Sequence, residues 1–380
     1  MAKPIGTVAA SGDGTRKLDI TFLSITLILL TTGLVMLFSA SYAYSLEYYG
    51  SSYRFITRQA VLGVVGVVVM LIVSKIDYHF WRKFAWLIFI LSTVLLIVLL
   101  AIPPMVSGMD VKRWIVVGPL NFQPSEIAKF SIILLFSSLI ASNYKEMKKF
   151  SFVAFLLVLL CGTCVLIVLE PHVSATLLLF AIGVVLLIVG GLSMKYIIGG
   201  AIAAGAGIAV FFLSGAISYV TDRLQYWLDP WADATGKGFQ TIQSLLAIGS
   251  GGILGRGIGQ SRQKLLWVPE PHNDFIFSIV CEELGLVGAA VIILLFCLLI
   301  WRGFYIAMHA PDKFGALLAI GLTFQVGLQA MLNIWVVTNT IPNTGISLPF
   351  FSYGGTSLVI LLAEMGMVLS ISRGSDIEKT

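Results

Sequence analysis

The chain has 380 residues, of which 58% are hydrophobic and 11% charged, against about 45–50% and about 25% in a soluble domain; its mean hydropathy is +0.96. A soluble globular enzyme, a disordered tail and a fibrous repeat are excluded. The net charge of +5 counts toward membrane topology and not toward nucleic acid, because the apolar residues fall in runs long enough to cross a bilayer.

Ten such runs follow one another, at 20–42, 55–74, 83–102, 124–142, 151–169, 173–192, 196–219, 275–301, 314–339 and 352–372. They predict an all-α polytopic membrane protein with both termini on one side. Residues 1–19 form an N-terminal tail, 20–372 the ten-helix membrane domain and 373–380 a C-terminal tail. Lys3, Arg16 and Lys17 precede the first run; Lys75, Arg82 and Lys83 stand between the second and third. Lys145, Lys148 and Lys149 follow the fourth, Lys195 the sixth, Arg302 and Lys313 the eighth, and Arg373 and Lys379 the tenth. Cations concentrated on alternate connections mark the cytoplasmic side, which puts both tails inside and the long connection 220–274 outside. The run after Lys17 is too long for a cleavable signal and lacks a small-residue cleavage site, so it is read as a retained first span. Cys161, Cys164, Cys281 and Cys297 lie in or beside apolar runs and read as buried thiols, not as a disulfide framework or a zinc site.

An ionisable group at membrane depth costs a few kcal/mol unless it is paired or wet, so the polar residues carry the functional signal. Ahead of the fourth run stand Lys112-Arg113-Trp114 and Gln123-Pro124-Ser125-Glu126, with Lys129 one turn on. Ser125 can cap that helix, and Glu126 and Lys129 share a face. They form either an ion pair anchoring the helix or the polar wall of a cavity that also receives Lys112 and Arg113, cations suited to a phosphate. Gly199, Gly200, Gly205 and Gly207 read as close helix packing.

The long connection carries Arg223 and then the glycine-rich stretch Gly249–Gly259 with Arg256, Arg262 and Lys264. It is either a flexible surface loop or a set of backbone N–H groups and cations offered to an anion. It has no Gly-Lys-Ser/Thr ending, so it is not a P-loop. The connection closes on Pro269-Glu270-Pro271-His272-Asn273-Asp274-Phe275. Asp274 stands where polar loop becomes apolar helix. Half-desolvation there raises a carboxylate's pKa and suits a general base, while a helix N-cap at Asn273 or Asp274 is the competing reading. Glu282, two turns on, is either structural or catalytic. Gln325, Gln329 and Asn333 share a face and read as helix–helix glue, and Glu364 lies deep in the tenth run. Neither a metalloprotease spacing nor a Gly-x-Ser-x-Gly elbow is present.

Lys112-Arg113-Trp114, Gln123-Pro124-Ser125-Glu126, the Gly249–Gly259 run, Pro269-Glu270 with Asn273-Asp274-Phe275-Ile276-Phe277, and Leu348-Pro349-Phe350-Phe351-Ser352-Tyr353-Gly354-Gly355 occur in this order on the ten-span pattern. Together they resemble the SEDS (shape, elongation, division and sporulation) family over nearly the whole chain. Gly257-Ile258-Gly259-Gln260-Ser261 with Lys264 is more similar to the division branch, FtsW and its sporulation relatives, than to the RodA branch. The resemblance implies a peptidoglycan glycosyltransferase in the bacterial cytoplasmic membrane that polymerises lipid II at the outer face during division. A class B penicillin-binding transpeptidase and other division membrane proteins are the implied partners.

The resemblance also places the catalytic carboxylate at Asp274. As general base it would deprotonate the acceptor C4 hydroxyl attacking C1 of a donor whose leaving group is polyprenyl diphosphate, with inversion. The diphosphate charge falls to Lys112, Arg113, Arg223, Arg256, Arg262 or Lys264, or to a divalent cation, Mg²⁺ or Mn²⁺. Glu126 and Lys129 would shape the cavity, and Glu270 completes the substrate-binding set. After Glu170-Pro171 the family usually carries an acidic residue, and this chain has His172. An elongation-type synthase, a lipid II flippase and a non-catalytic scaffold are the alternatives. The short cytoplasmic connections and the few charges at mid-membrane disfavour the flippase.

Overall fold

The computed structural model describes residues 18–101, 113–117, 120–170, 172–196, 198–199, 225–236 and 238–375. Lys112, Arg223, residues 1–17 and 376–380 of the tails, and most of the seventh apolar run with Gly200, Gly205 and Gly207 lie outside the described residues.

The other predicted runs are helical. In chain order these are α1 (Ile20–Tyr49), α2 (Arg54–Val73), the short α3 (Tyr78–Arg82), α4 (Ala85–Ala101), α5 (Pro124–Ser142), α6 (Phe150–Leu169) and α7 (Val173–Val189). Within the long connection lies α8 (Phe239–Gly251), and after it come α9 (Ile276–Met308), α10 (Lys313–Val337) and α11 (Thr356–Gly374). Among the described residues seven helices are long and apolar enough to cross a membrane, and α4 and α7 are shorter apolar helices. Strands β1 (Ile115–Val117) and β2 (Leu120–Phe122) form an antiparallel hairpin that delivers the chain to α5.

Helix ends are set by local chemistry. The Asp19 side chain accepts from Phe22 N at 2.8 Å to start α1, and Gly50, at φ 69°, ends it. Asp19 also accepts from Arg302 Nε at 2.9 Å, which ties the start of α1 to the far part of α9. Asp312 caps α10 through Gly315 N and accepts from Tyr78 Oη at 2.6 Å, which ties that corner to α3. Helix α5 is buried along most of its length, with Ile132, Ile133, Leu134, Leu135 and Phe136 fully enclosed, so it forms the centre of the bundle.

The glycine-rich stretch is not a flexible surface loop. Helix α8 precedes it, burying Ile242, Ser244 and Ala247 and exposing Leu245 and Leu246. Helix α9 breaks at Gly285 (φ 68°, ψ −169°), and the stretch folds against the break. Leu286 N donates to Gly252 O at 3.0 Å and Val287 N to Ile253 O at 3.1 Å, while Arg256 N and Gly257 N donate to the carbonyls of Glu282 and Glu283. A Cβ on Gly255 would collide with Glu283 O, so this approach requires glycine.

Side chains complete the junction. Glu282 accepts from Ser261 Oγ and from the backbone of Arg262 and Gln263, at 3.0 and 3.3 Å. Glu283 accepts from Ser39 Oγ at 2.7 Å, Ser261 N at 3.2 Å and Lys264 Nζ at 2.8 Å. The stretch does cradle anions, but they are the chain's own carboxylates. Glu282 is therefore structural, and Lys264, 4% exposed, is committed to Glu283 and not to a substrate.

Replacing Lys264 by Met leaves Glu283 buried without its cation, which costs about 3–5 kcal/mol. We expect a large fall in Tm in detergent, mostly recovered by Lys264→Met combined with Glu283→Gln; a single variant as stable as the native chain contradicts the pairing.

Candidate active site

The site is assembled from three chain segments. The first is the start of α5, where Pro124 occupies the first turn and Glu126 and Lys129 stand one turn apart. Lys129 Nζ lies 2.9 Å from Glu126 Oε2 and donates to Gln329 Oε1 on α10 at 3.3 Å. The two readings of this pair merge, because it is an ion pair and both members line the cavity.

The second segment is 269–275, fixed by backbone contacts on every side. Asn273 Nδ2 donates to Glu270 Oε2 at 2.9 Å, Ser352 Oγ to Asn273 O at 2.8 Å, and Tyr353 N to His272 O at 2.9 Å. Asn333 Nδ2 donates to Asp274 O at 2.7 Å and to Ile346 O at 2.6 Å. His272 sits between the rings of Phe55 and Tyr44, at 4.3 and 4.9 Å, and burial pushes its pKa down to about 4, so it is neutral. The third segment, 345–357, is held to α2 by Gln59, which donates to Ser352 O and accepts from Gly355 N.

These segments enclose a cavity of about 450 Å³ whose polar lining includes Arg58, Arg113, Glu126, Lys129, Glu270 and Asp274. The Asp274 carboxyl has no protein hydrogen bond among the described residues, and α9 begins after Phe275 without a side-chain cap. The N-cap reading therefore does not hold. Gly345, at φ 67°, leaves space beside it; a Cβ there would lie 3.2 Å from Asp274 Oδ2. Burial, with the nearby Glu270 carboxylate, pushes the Asp274 pKa up to about 6, against the opposing pull of Arg113. His172 also lines the cavity; burial, with Arg113 and Lys129, pushes it down to about 3, so it is neutral.

Of the residues singled out in the sequence, the structure brings Arg113, Glu126, Lys129, Glu270 and Asp274 together. It does not bring Arg256, Arg262 or Lys264 to the cavity. Arg256 Nε donates to Ser250 O at 3.2 Å and lies 3.7 Å from Glu282 Oε1, and Arg262 is exposed on the loop. The backbone N–H groups of Arg256 and Arg262 serve the α9 junction. Gln325 meets the glue expectation by donating to Glu364 Oε2 at 2.9 Å. Gln329 and Asn333 do more, lining the cavity and holding the Asp274 loop.

Sequence reasoning missed Arg58, Tyr353 and the cavity position of His172. Arg58 had a signal: with Gln59 it interrupts the second apolar run near its start, where a lone charge at membrane depth points to a site. No group of three or more His, Cys, Asp or Glu side chains among the described residues could hold a metal ion. What the arrangement offers is a carboxylate with no hydrogen-bond partner among the described residues, in one cavity with Arg58, Arg113 and Lys129.

Residues 20–377 match the family described as "Cell cycle protein", FtsW/RodA/SpoVE. Stage V sporulation protein E of Bacillus subtilis is 37% identical over 364 residues, covering 94% of this chain and 97% of that protein. A probable peptidoglycan glycosyltransferase FtsW from Geobacter sp. (strain M18) is 37% identical over 356 residues, covering 93% and 96%. Among solved structures, a chain from a study of polymerisation and crosslinking by a peptidoglycan synthase complex matches with a TM-score of 0.78 at 27% identity, covering 94% of this chain and 98% of that one. The rod shape determining protein RodA of Thermus thermophilus matches with a TM-score of 0.69 at 25% identity, covering 95% and 98%.

The opposing neighbours of Asp274 set a test. Glu270→Gln removes a negative charge and lowers the Asp274 midpoint, whereas Arg113→Gln removes a positive charge and raises it. Isotope-edited infrared titration of the aspartate band reads both shifts; a midpoint unmoved in both variants contradicts the assignment.

Proposed function

The chain belongs to the FtsW/RodA/SpoVE family of cell cycle proteins, and we propose that it is a multi-pass membrane peptidoglycan glycosyltransferase of cell division that polymerises lipid II with Asp274 as general base. The observation that carries this reading is the Asp274 carboxyl, raised to about 6 and without a hydrogen-bond partner among the described residues, in one cavity with Arg58, Arg113 and Lys129.

Asp274 takes the proton of the acceptor C4 hydroxyl as that oxygen attacks the donor C1. The bond from C1 to the diphosphate oxygen breaks, its electron pair leaves with the diphosphate, and the α-linked donor becomes a β-linked product. No covalent intermediate and no second carboxylate are needed. Arg58, Arg113 and Lys129 offset the charge that develops on the leaving group, with Lys129 held by Glu126 and Gln329. Glu270 keeps Asp274 basic enough to accept a proton near neutral pH. A Mg²⁺ or Mn²⁺ ion brought in with the diphosphate would be held on the protein side by the Glu270 carboxylate and would supply charge neutralisation there.

The likeness to a chain from a peptidoglycan synthase complex supports a class B penicillin-binding transpeptidase as partner.

General-base catalysis is worth about 10²–10⁴ in rate, or about 3–5 kcal/mol. Asp274→Asn is expected to lose that much lipid II polymerisation while keeping the native Tm. Because only the ionised base works, kcat/KM of the native enzyme should rise with pH through a midpoint near 6 and level off above it. Equal product from the native chain and Asp274→Asn removes Asp274 from the chemistry.

A further inference from the structure

Glu270 lines two hollows. One is the cavity with Asp274; the other, of about 300 Å³, lies between the end of α1 and the 266–270 segment and is lined by Tyr44, Tyr48, Leu266, Val268, Pro269 and Glu270. The rings of Tyr44 and Tyr48 are 4.4 Å apart and tilted by 34°. The Tyr44 ring lies 4.9 Å from that of His272, tilted by 49°, the His272 ring lies 6.0 Å from that of Tyr353, and Tyr353 lines the cavity with Asp274. An aromatic wall and a shared carboxylate therefore run from one hollow to the other.

The neighbouring tyrosines have other duties. Tyr49 carries the Arg54 guanidinium 4.3 Å above its ring, and Tyr53 stacks on Phe38 at 5.7 Å, so both brace the hairpin between α1 and α2. Tyr48 stays 63% exposed, an open ring beside a carboxylate.

That combination suits a saccharide. The axial C–H face of a pyranose lies on a tyrosine ring, and its hydroxyl and amide N–H groups donate to a carboxylate; Glu270 has acceptor capacity beyond its one bond from Asn273 Nδ2, which an acyl chain or an apolar helix would not use. A cavity of about 450 Å³ is of the size that holds one drug-sized ligand, so sugars joined in earlier cycles must lie outside it.

We propose that the hollow between α1 and the 266–270 segment is a subsite for the growing glycan, whose already joined sugars stack on Tyr44 and Tyr48 and hydrogen-bond Glu270. This inference rests on the polymerase reading of the adjoining cavity. A polymer held there stays engaged between additions, so the subsite governs how long strands become more than how fast one bond forms.

Two measurements on the full chain test it. The first is strand length made from labelled lipid II, with the transpeptidase partner present but inactive. The second is affinity for a lipid-free β-1,4-linked GlcNAc–MurNAc tetrasaccharide, read by saturation-transfer NMR. Tyr48→Ala should shorten strands and weaken tetrasaccharide binding about two- to tenfold each, leave the single-turnover rate of bond formation at the native value, and be rescued by Tyr48→Phe. Native affinity for the tetrasaccharide in Tyr48→Ala overturns the subsite, whatever the strand length. Tetrasaccharide binding that depends on Tyr48, in a native chain that makes no polymer, supports the subsite and counts against the polymerase reading.

Discussion

A carboxylate or an open backbone group inside a bilayer has no water to turn to, and it must find its partner within the protein. The junction between the broken helix α9 and the glycine-rich stretch meets that demand. Gly285 interrupts α9, the N–H groups freed there bond the carbonyls of Gly252 and Ile253, and Lys264 with Ser39 neutralises Glu283. The residues that precede α9 are held on one side by this junction and on the other by Asn333 and Ser352. Asp274 lies between these anchors, so its position follows from partners that take no part in the chemistry.

With the backbone fixed, electrostatics decides what Asp274 can do. Burial and Glu270 raise its pKa; Arg113 pulls it back, and the result lies near 6. A base poised there is ionised at neutral pH yet retains appreciable proton affinity. Arg113, which tempers it, is also a cation suited to the diphosphate leaving group. In the proposed mechanism one cluster serves both ends of the transfer, and His172 adds a neutral imidazole to the cavity.

Much of this was legible in the sequence because the signal is local. Apolar runs of bilayer length locate the helices, and Asp274 announces itself at the border of loop and helix. Glu126 and Lys129 do so by their spacing on one helical face. The glycine-rich stretch was misread because its partners are distant. Lys264 pairs with Glu283, 19 residues on, and with Ser39, 225 residues back, and no spacing rule connects them. Arg58 was passed over because a cation near the end of an apolar run reads first as topology; only the fold brings it to the same cavity as Arg113. Helix α8 was passed over because it lies inside the long connection, where polar and glycine residues on both sides read as loop.

The central claim is that the carboxyl tuned by this cavity is the group that accepts the acceptor's proton. The most direct test compares two midpoints in the native chain and in Glu270→Gln: that of kcat/KM for lipid II polymerisation, and that of the Asp274 carboxyl itself followed by infrared. The account predicts that the two coincide in each protein and move down together when Glu270 loses its charge. A kinetic midpoint that stays in place while the Asp274 carboxyl shifts would assign the proton transfer to another group.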